Sequence, residues 1–488
     1  MSSSQPIAPS MLLHTPAYLA FLASTVLVYW ILRSHSWRRW LLFGSSYVLY
    51  SAFDMRFAGL LLGLATANFL LGRGMSGGRR SRWMLWASVG VNLGVLVLFK
   101  YMDFFLASAA AFLGVAGIEA RPTTLGLLLP IGISFYTFQG LAYTAEVYRG
   151  RLRPSASWLD VALYLGFFPK LIAGPIVRPT SFLNQIGRAA ERPTRDQIVN
   201  ALGLMLLGLF KKVVVADSLG ALCDVAFRAA GREASASFPA PLYWQGFYLY
   251  AIQIYADFSG YTDIARASAG LLGINLPENF ARPYGSATVA AFWNRWHMTL
   301  TQWFREYLFF PFSRSLLTLT GRRYPRFVQA LTTMSTMTLI GLWHGASWAF
   351  VLWGAWHGLL LVAERLGGWQ PKSRLATFLS AAVTFHLVGI GWILFRAGSP
   401  TVAMRFLSGA LSLTGVRWLG EFLPAVLLSA GLITIADWLR FEVRLGSTGS
   451  GRGSMHVLAV AGILVLGALA ILQMLRGGDV RPFIYGRF

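Results

Sequence analysis

The chain has 488 residues, of which 56% are hydrophobic and only 12% charged. A water-soluble domain carries roughly a quarter charged residues, so the composition excludes an ordinary soluble fold. Lys and Arg number 42 against 19 Asp and Glu, a formal charge of +23, and there is a single cysteine, Cys223. The basic residues sit in short clusters between apolar runs, which points to membrane-protein loops and away from a nucleic-acid-binding face. One cysteine excludes an internal disulfide and a cysteine-based zinc site.

Apolar runs near the roughly 20 residues that cross a bilayer recur from end to end. In chain order the predicted spans are Ala17–Leu32, Trp40–Phe53, Phe57–Leu71, Trp83–Phe105, Leu125–Val147 and Ile198–Ala216. Leu242–Phe258, Val328–Trp343, Ser347–Val362, Ala376–Phe395, Phe422–Leu439 and Val457–Leu475 follow. Several are short enough to be tilted, re-entrant or buried in the bundle, so about 10 to 12 crossings are expected. The first run lacks a basic leader and a cleavage site, and is read as a retained helix.

Arg33, Arg38 and Arg39 follow the first span, Arg73, Arg79, Arg80 and Arg82 the third, and Arg149, Arg151 and Arg153 the fifth. The positive-inside rule makes that face cytoplasmic and puts the N-terminus outside. Trp158–Pro175 is apolar but broken by Pro169, Lys170, Gly174 and Pro175, a pattern that suits a segment entering and returning without crossing. With no internal repeat and no extramembrane domain, residues 1–488 read as one integral membrane domain.

Two stretches place ionisable groups among aromatic residues at membrane depth. In Phe292–Phe310, FWNRWHMTLTQWFREYLFF, the side chains Trp293, Trp296, Leu300, Phe304 and Tyr307 share one helical face. Arg295, Gln302 and Arg305 fall away from it, and His297 aims inward. This predicts one amphipathic helix lying in the interface plane. In Leu339–Leu360, LIGLWHGASWAFVLWGAWHGLL, His344 lies between Trp343 and Gly345, where glycine permits close approach. Intramembrane histidine is a functional candidate with a pKa suited to proton transfer. From residues alone, His344 and His297 stay open between catalysis and packing, while His357 and His386 read as structural. In Tyr255–Phe280, the groups Asp257, Tyr261, Asp263 and Glu278 stay open between acid–base use, pairing with Arg266 or Arg282, and interfacial exposure.

The runs FWNRWHMTLTQWFREYLFFPF and GLWHGASWAFVLWGAWHG resemble the membrane-bound O-acyltransferase superfamily, in its bacterial polysaccharide-modifying branch typified by alginate O-acetyltransferase membrane subunits. Pro130–Gly150, Leu171–Pro179, Asp257–Ala265 and the terminal Pro482–Phe488 agree with it, so the resemblance extends over nearly the whole chain. The ending YGRF departs from the YFQF of alginate-type relatives.

The resemblance implies an all-α fold: a ring of transmembrane helices with re-entrant and in-plane helices around a funnel or tunnel. His344 matches the family's nearly invariant histidine and His297 the second histidine of the branch. It further implies acetyl transfer from a cytoplasmic thioester such as acetyl-CoA, with no bound cofactor and no metal, towards O-acetylation of an exopolysaccharide such as alginate. A periplasmic SGNH hydrolase-like partner and a bacterial inner-membrane location follow by the same analogy. His344 is then the expected general base. His297 orients the donor or helps stabilise the oxyanion, and Asn294, Arg295, Trp296 and Trp343 are the expected substrate-binding residues. D-alanyl transfer to teichoic acid is the rival within the family. A transporter or a non-catalytic scaffold of a polymer export complex is the rival from another class.

Overall fold

Helix follows helix from Pro16 to Leu475, and among the described residues no strand interrupts them. The computed structural model describes residues 12–75, 78–120, 124–232, 238–412, 419–446 and 453–475, with Arg481 and Ile484. Two compact units emerge, Met1–Thr194 with Ser268–Pro277, and Arg195–Ala267 with Glu278–Arg487.

In the first unit α1 (Pro16–Ile31), α2 (His35–Ser51), α3 (Met55–Gly74) and α4 (Gly78–Leu96) run on through a π-helical turn into α5 (Met102–Val115). Starts are marked as the sequence chemistry requires: Thr15 Oγ1 accepts from the Tyr18 amide at 3.3 Å and Asp54 Oδ1 from the Arg56 amide at 2.8 Å. The predicted span Leu125–Val147 is corrected, because helix α6 begins only at Ile133 and ends at Tyr148. Pro130 and Gly132 prevent an earlier start. Gly132 adopts φ 75°, and a Cβ there would lie 2.5 Å from the Leu171 carbonyl oxygen.

Polar side chains join three of these helices. Asn92 Nδ2 donates to Asn68 Oδ1 at 2.9 Å, Asn68 Nδ2 to Asn92 Oδ1 at 3.2 Å, and Ser88 lies 2.8 Å from Thr144. All four are fully buried, and in an apolar setting these contacts, with bonds to the Leu64, Ser88 and Gly140 carbonyls, satisfy their polar atoms.

The proline-broken stretch forms α7 (Trp158–Gly166) and a single turn, α8 (Phe168–Leu171), followed by non-helical chain and then α9 (Pro179–Ile186). Every residue from Val161 to Val177 is buried. Non-helical backbone is tolerated at membrane depth only when enclosed by protein, and this segment is enclosed. Its Lys170 ammonium donates to Gln139 Oε1 and to the Tyr164 carbonyl.

The second unit opens with α10 (Arg195–Leu209), which passes through the π-helical Phe210–Ala216 into α11 (Asp217–Gly231). Next comes α12 (Ala240–Leu271), followed by α13 (Val289–Trp293), α14 (Met298–Phe304), the π-helical Arg305–Phe309 and α15 (Phe310–Leu319). A tight hairpin of α16 (Pro325–His344) and α17 (Trp348–Gly367) leads to α18 (Arg374–Ala397), α19 (Pro400–Ala410), α20 (Leu419–Gly446) and α21 (Gly453–Leu475). The predicted span Leu242–Phe258 is therefore too short, since its helix continues through Asp263 to Leu271. The 32 residues of α12 make a rod of about 48 Å at 1.5 Å per residue.

Among the described residues five helices are long and apolar enough to cross a membrane: Met55–Gly74, Arg79–Val115, Arg195–Gly231, Trp348–Gly367 and Arg374–Ala397. Pro16–Ile31 is a shorter apolar helix, and Val426–Asp437 and Val460–Met474 are apolar stretches of α20 and α21. The most apolar stretch of Arg79–Val115 is only 11% buried against 56% for Arg195–Gly231, which marks the former as a lipid-facing element. The chain is an all-helical, multi-pass membrane protein.

Candidate active site

The segment carrying His297 starts from a double cap. Thr288 Oγ1 accepts from the Ala291 amide at 3.1 Å, and the Glu364 carboxylate, reaching from α17, accepts from the Val289 amide at 2.5 Å. Helix α13 then stops, and the single in-plane helix expected over Phe292–Phe310 does not form. His297 takes a left-handed conformation, φ 41° and ψ 51°, between α13 and α14. A non-glycine residue there costs about 1–2 kcal/mol, so its surroundings must hold it. Asn279 does so: its carbonyl accepts from the Met298 amide at 3.0 Å, and its Oδ1 accepts from the Thr299 amide at 3.2 Å and from Thr299 Oγ1 at 3.0 Å.

The predicted faces survive this break. Trp293, Trp296, Leu300 and Phe304 are buried and Tyr307 is half-buried, while Arg295, Gln302 and Arg305 are exposed. Asn294 is also exposed, and its Oδ1 accepts from Arg305 Nη2 at 2.9 Å.

His297 is fully buried, with its Nδ1 3.0 Å from Asn279 Oδ1 and its ring against the edge of Phe258, centroids 4.7 Å apart. Burial disfavours the imidazolium and pushes its pKa down to about 3.

His344 closes α16, where Gly345 leaves the helix with an extended backbone. The α16–α17 hairpin can close because its contact surface is glycine. A Cβ on Gly341 would meet the Phe350 carbonyl oxygen at 2.1 Å, one on Gly354 the Met337 oxygen at 2.2 Å, and one on Gly345 the Phe350 ring at 2.1 Å. The His344 ring packs against Trp353 and Phe395, centroids 5.1 and 5.3 Å away, and lies 6.4 Å from the His297 ring. Two buried imidazoles, 47 residues apart in sequence, thus share one aromatic-walled site.

Of the expected substrate-binding residues, Trp343 stands beside the pair, 6.2 Å from His297. Trp296 is buried against Phe280 and Trp392 at 5.0 and 4.7 Å. Asn294 and Arg295 lie on the exposed face and are not brought to the histidines' buried side. His357 and His386 are held as packing residues: Trp293 Nε1 donates to His357 Nδ1 at 3.4 Å, and His386 makes contacts of 2.8 Å to the Ala382 carbonyl and 3.0 Å to Tyr248. Among the described residues no group of three or more His, Cys, Asp or Glu is placed to hold a metal.

Sequence reasoning missed one element altogether. Lys211 and Lys212, within the π-helical segment, are fully buried and meet the acidic residues of α12. Lys212 Nζ lies 2.7 Å from both Asp257 and Asp217, and Lys211 Nζ 2.7 Å from Asp437 and 3.3 Å from Asp263. Pairing therefore describes the acidic residues. Arg266 takes a lesser part, 3.5 Å from Glu278 and 3.9 Å from Asp263. The terminal motif Pro482–Phe488 falls outside the described residues except for Ile484, whose amide donates to Asp257 Oδ2 at 2.9 Å.

The fold and the site define a class, a helical membrane protein with two neighbouring imidazoles buried among aromatic rings. The model of the membrane-bound O-acyltransferase family, MBOAT, matches residues 149–382, which include both histidines. The chain is 34% identical over 483 residues to the probable alginate O-acetylase AlgI of Pseudomonas putida, covering 94% of this chain and 96% of that relative. It is 31% identical to the peptidoglycan O-acetyltransferase of Helicobacter pylori over 83% of this chain and 81% of that one. It is 27% identical to the teichoic acid D-alanyltransferase of Bacillus subtilis, over 62% and 77%. The chain belongs to the membrane-bound O-acyltransferase family and is an O-acyltransferase.

Proposed function

We propose that the protein moves an acetyl group from a cytoplasmic thioester, such as acetyl-CoA, to an extracytoplasmic hydroxyl for O-acetylation of an exopolysaccharide such as alginate. The observation that carries this reading is the buried histidine pair, with centroids 6.4 Å apart. The relatives named above that exceed 30% identity carry acetyl-transfer names, and the D-alanyltransferase stands at 27%.

In the reaction the hydroxyl loses its proton to His344 as its oxygen forms a bond to the thioester carbonyl carbon. The carbon–sulfur bond then breaks, and the thiolate leaves and is reprotonated from the histidine. His297 orients the acyl donor. Trp343 and Trp296 are the substrate-binding side chains on the buried side, and Asn294 and Arg295 are offered to the polar part of a donor at the exposed face. Residues 1–488 act as one catalytic domain in a bacterial inner membrane. A periplasmic SGNH hydrolase-like protein carries the acetyl group onward to the polymer.

The test is polymer O-acetyl content in cells carrying His344→Ala, with membrane levels of the protein measured alongside. Loss of acetyl with the protein present supports the reading. Retained acetylation sinks the base assignment and brings the scaffold alternative forward.

A further inference from the structure

Which nitrogen of His297 carries its hydrogen is decided by the side chain it touches. Asn279 Oδ1 lies 3.0 Å from His297 Nδ1, 3.2 Å from the Thr299 amide nitrogen and 3.0 Å from Thr299 Oγ1. The Thr299 amide is a donor and nothing else, so the Asn279 atom facing it is the oxygen. Turning the amide over would set its NH2 against that N–H. Asn279 Oδ1 accepts only, and a neutral imidazole that meets it through Nδ1 must place the hydrogen there. The other ring nitrogen, Nε2, then holds a lone pair.

We infer that Asn279 is a positioning residue: it fixes His297 in the Nδ1–H tautomer, so that His297 meets substrate through Nε2 as a hydrogen-bond acceptor. The inference rests on the two-histidine reading above and settles the part His297 plays in it. A neutral Nε2 with a lone pair donates nothing to an oxyanion. Making it a donor requires protonation, which burial opposes, the pKa lying at about 3. His297 therefore holds an N–H or O–H of the substrate, and oxyanion stabilisation falls to other donors. One such group adjoins it, since Asn279 Nδ2 is buried with no hydrogen-bond partner among the described residues. Rings packed on His297 include Phe258 of α12 and Trp343 and His344 of α16, and His344 is the ionisable group among these three.

The test uses the full-length protein in detergent, with acetyl-CoA as the probe and CoA release measured against pH. His297→Ala and His344→Ala are run in parallel. Removing the acceptor in Asn279→Ala frees the tautomer, and the rate should fall on the order of 10²-fold, below the ~10⁴-fold seen when a catalytic histidine loses its orienting partner in a serine protease. Asn279→Asp keeps the acceptor oxygen but adds a charge that favours the imidazolium. It should keep its rate to within about 10-fold at high pH and lose activity as pH falls, its acid limb lying above the parent's.

An Asn279→Ala rate within about 2-fold of the parent overturns the inference. So does an equal fall in both variants with the parent's pH profile, which marks Asn279 as only a structural support of the turn. If Asn279→Ala fails to accumulate, the Asn279→Asp profile decides alone. Activity retained by both His297→Ala and His344→Ala sinks the proposed function itself, whatever the Asn279 variants do.

Discussion

Gly341 and Gly354 face each other across the α16–α17 hairpin, with the Gly354 amide nitrogen 3.0 Å from where a Gly341 Cβ would stand. Neither position has room for a methyl group against rigid backbone. Overpacking of this kind costs about 1–3 kcal/mol. Because His344 ends α16 three residues beyond Gly341, a forced separation also moves the imidazole. Gly341→Ala and Gly354→Ala should each lower the unfolding temperature in detergent and reduce acetylation more than the stability loss explains. Unaltered acetylation in either would show that the hairpin does not set the position of His344.

The histidine pair gives the sharpest functional expectation. A positioned general base contributes typically 10²–10⁴-fold, so His344→Ala should reduce turnover by about that factor without lowering the amount of protein. His297→Ala should reduce it as well. Polymer O-acetyl content, normalised to protein in isolated membranes, checks both.

The lysine–aspartate network should reveal itself through stability. Lys212 is fully buried between Asp217 and Asp257, 2.7 Å from each. Removing one member of a buried ion pair costs about 3–5 kcal/mol, because the remaining charge is stranded. Lys212→Met should be strongly destabilised, and Lys212→Met combined with Asp257→Asn should recover part of the loss. A double variant no more stable than the single one would refute the pairing as the source of the effect.

In the first unit, Asn92→Leu removes the two-way amide contact with Asn68, which keeps bonds to the Leu64 carbonyl and the Ser88 hydroxyl but loses the partner of one N–H. A buried polar group left unsatisfied costs about 1–3 kcal/mol. Asn92→Leu should therefore lower thermal stability by that amount, and Asn68→Leu/Asn92→Leu should lie closer to the parent. Unfolding in detergent of the two variants and the parent decides it.

Much of the architecture was legible because a bilayer leaves few choices: apolar runs become helices, and proline marks their ends. The Phe292–Phe310 face was also readable, with Trp293, Trp296, Leu300 and Phe304 all buried. The break at His297 was not. Nothing in a 3.6-residue period announces a non-glycine residue at φ 41°, and the group that sustains it, Asn279, lies 18 residues upstream in non-helical chain. Lys211 and Lys212 escaped for a similar reason. Two lysines inside an apolar run are themselves a signal, but a partner such as Asp257 is visible only once the helices are packed. The early start expected for α6 failed because Leu125–Leu129 is as apolar as a helix, whereas Gly132 is set by a carbonyl 39 residues away.

Glu364 ties these segments together in a way that bears on motion. It lies 20 residues beyond His344, yet its carboxylate holds the first amide of α13, at 2.5 Å from Val289, just ahead of His297. From His344 the path runs round the hairpin to Glu364, across to α13, along to His297 and back through the ring contact to its start. Such a path is a ring of contacts in the mechanical sense, so a displacement of α17 is felt at the seat of His297. An outward swing of that helix has to stretch or break the Glu364 hydrogen bond to the Val289 amide.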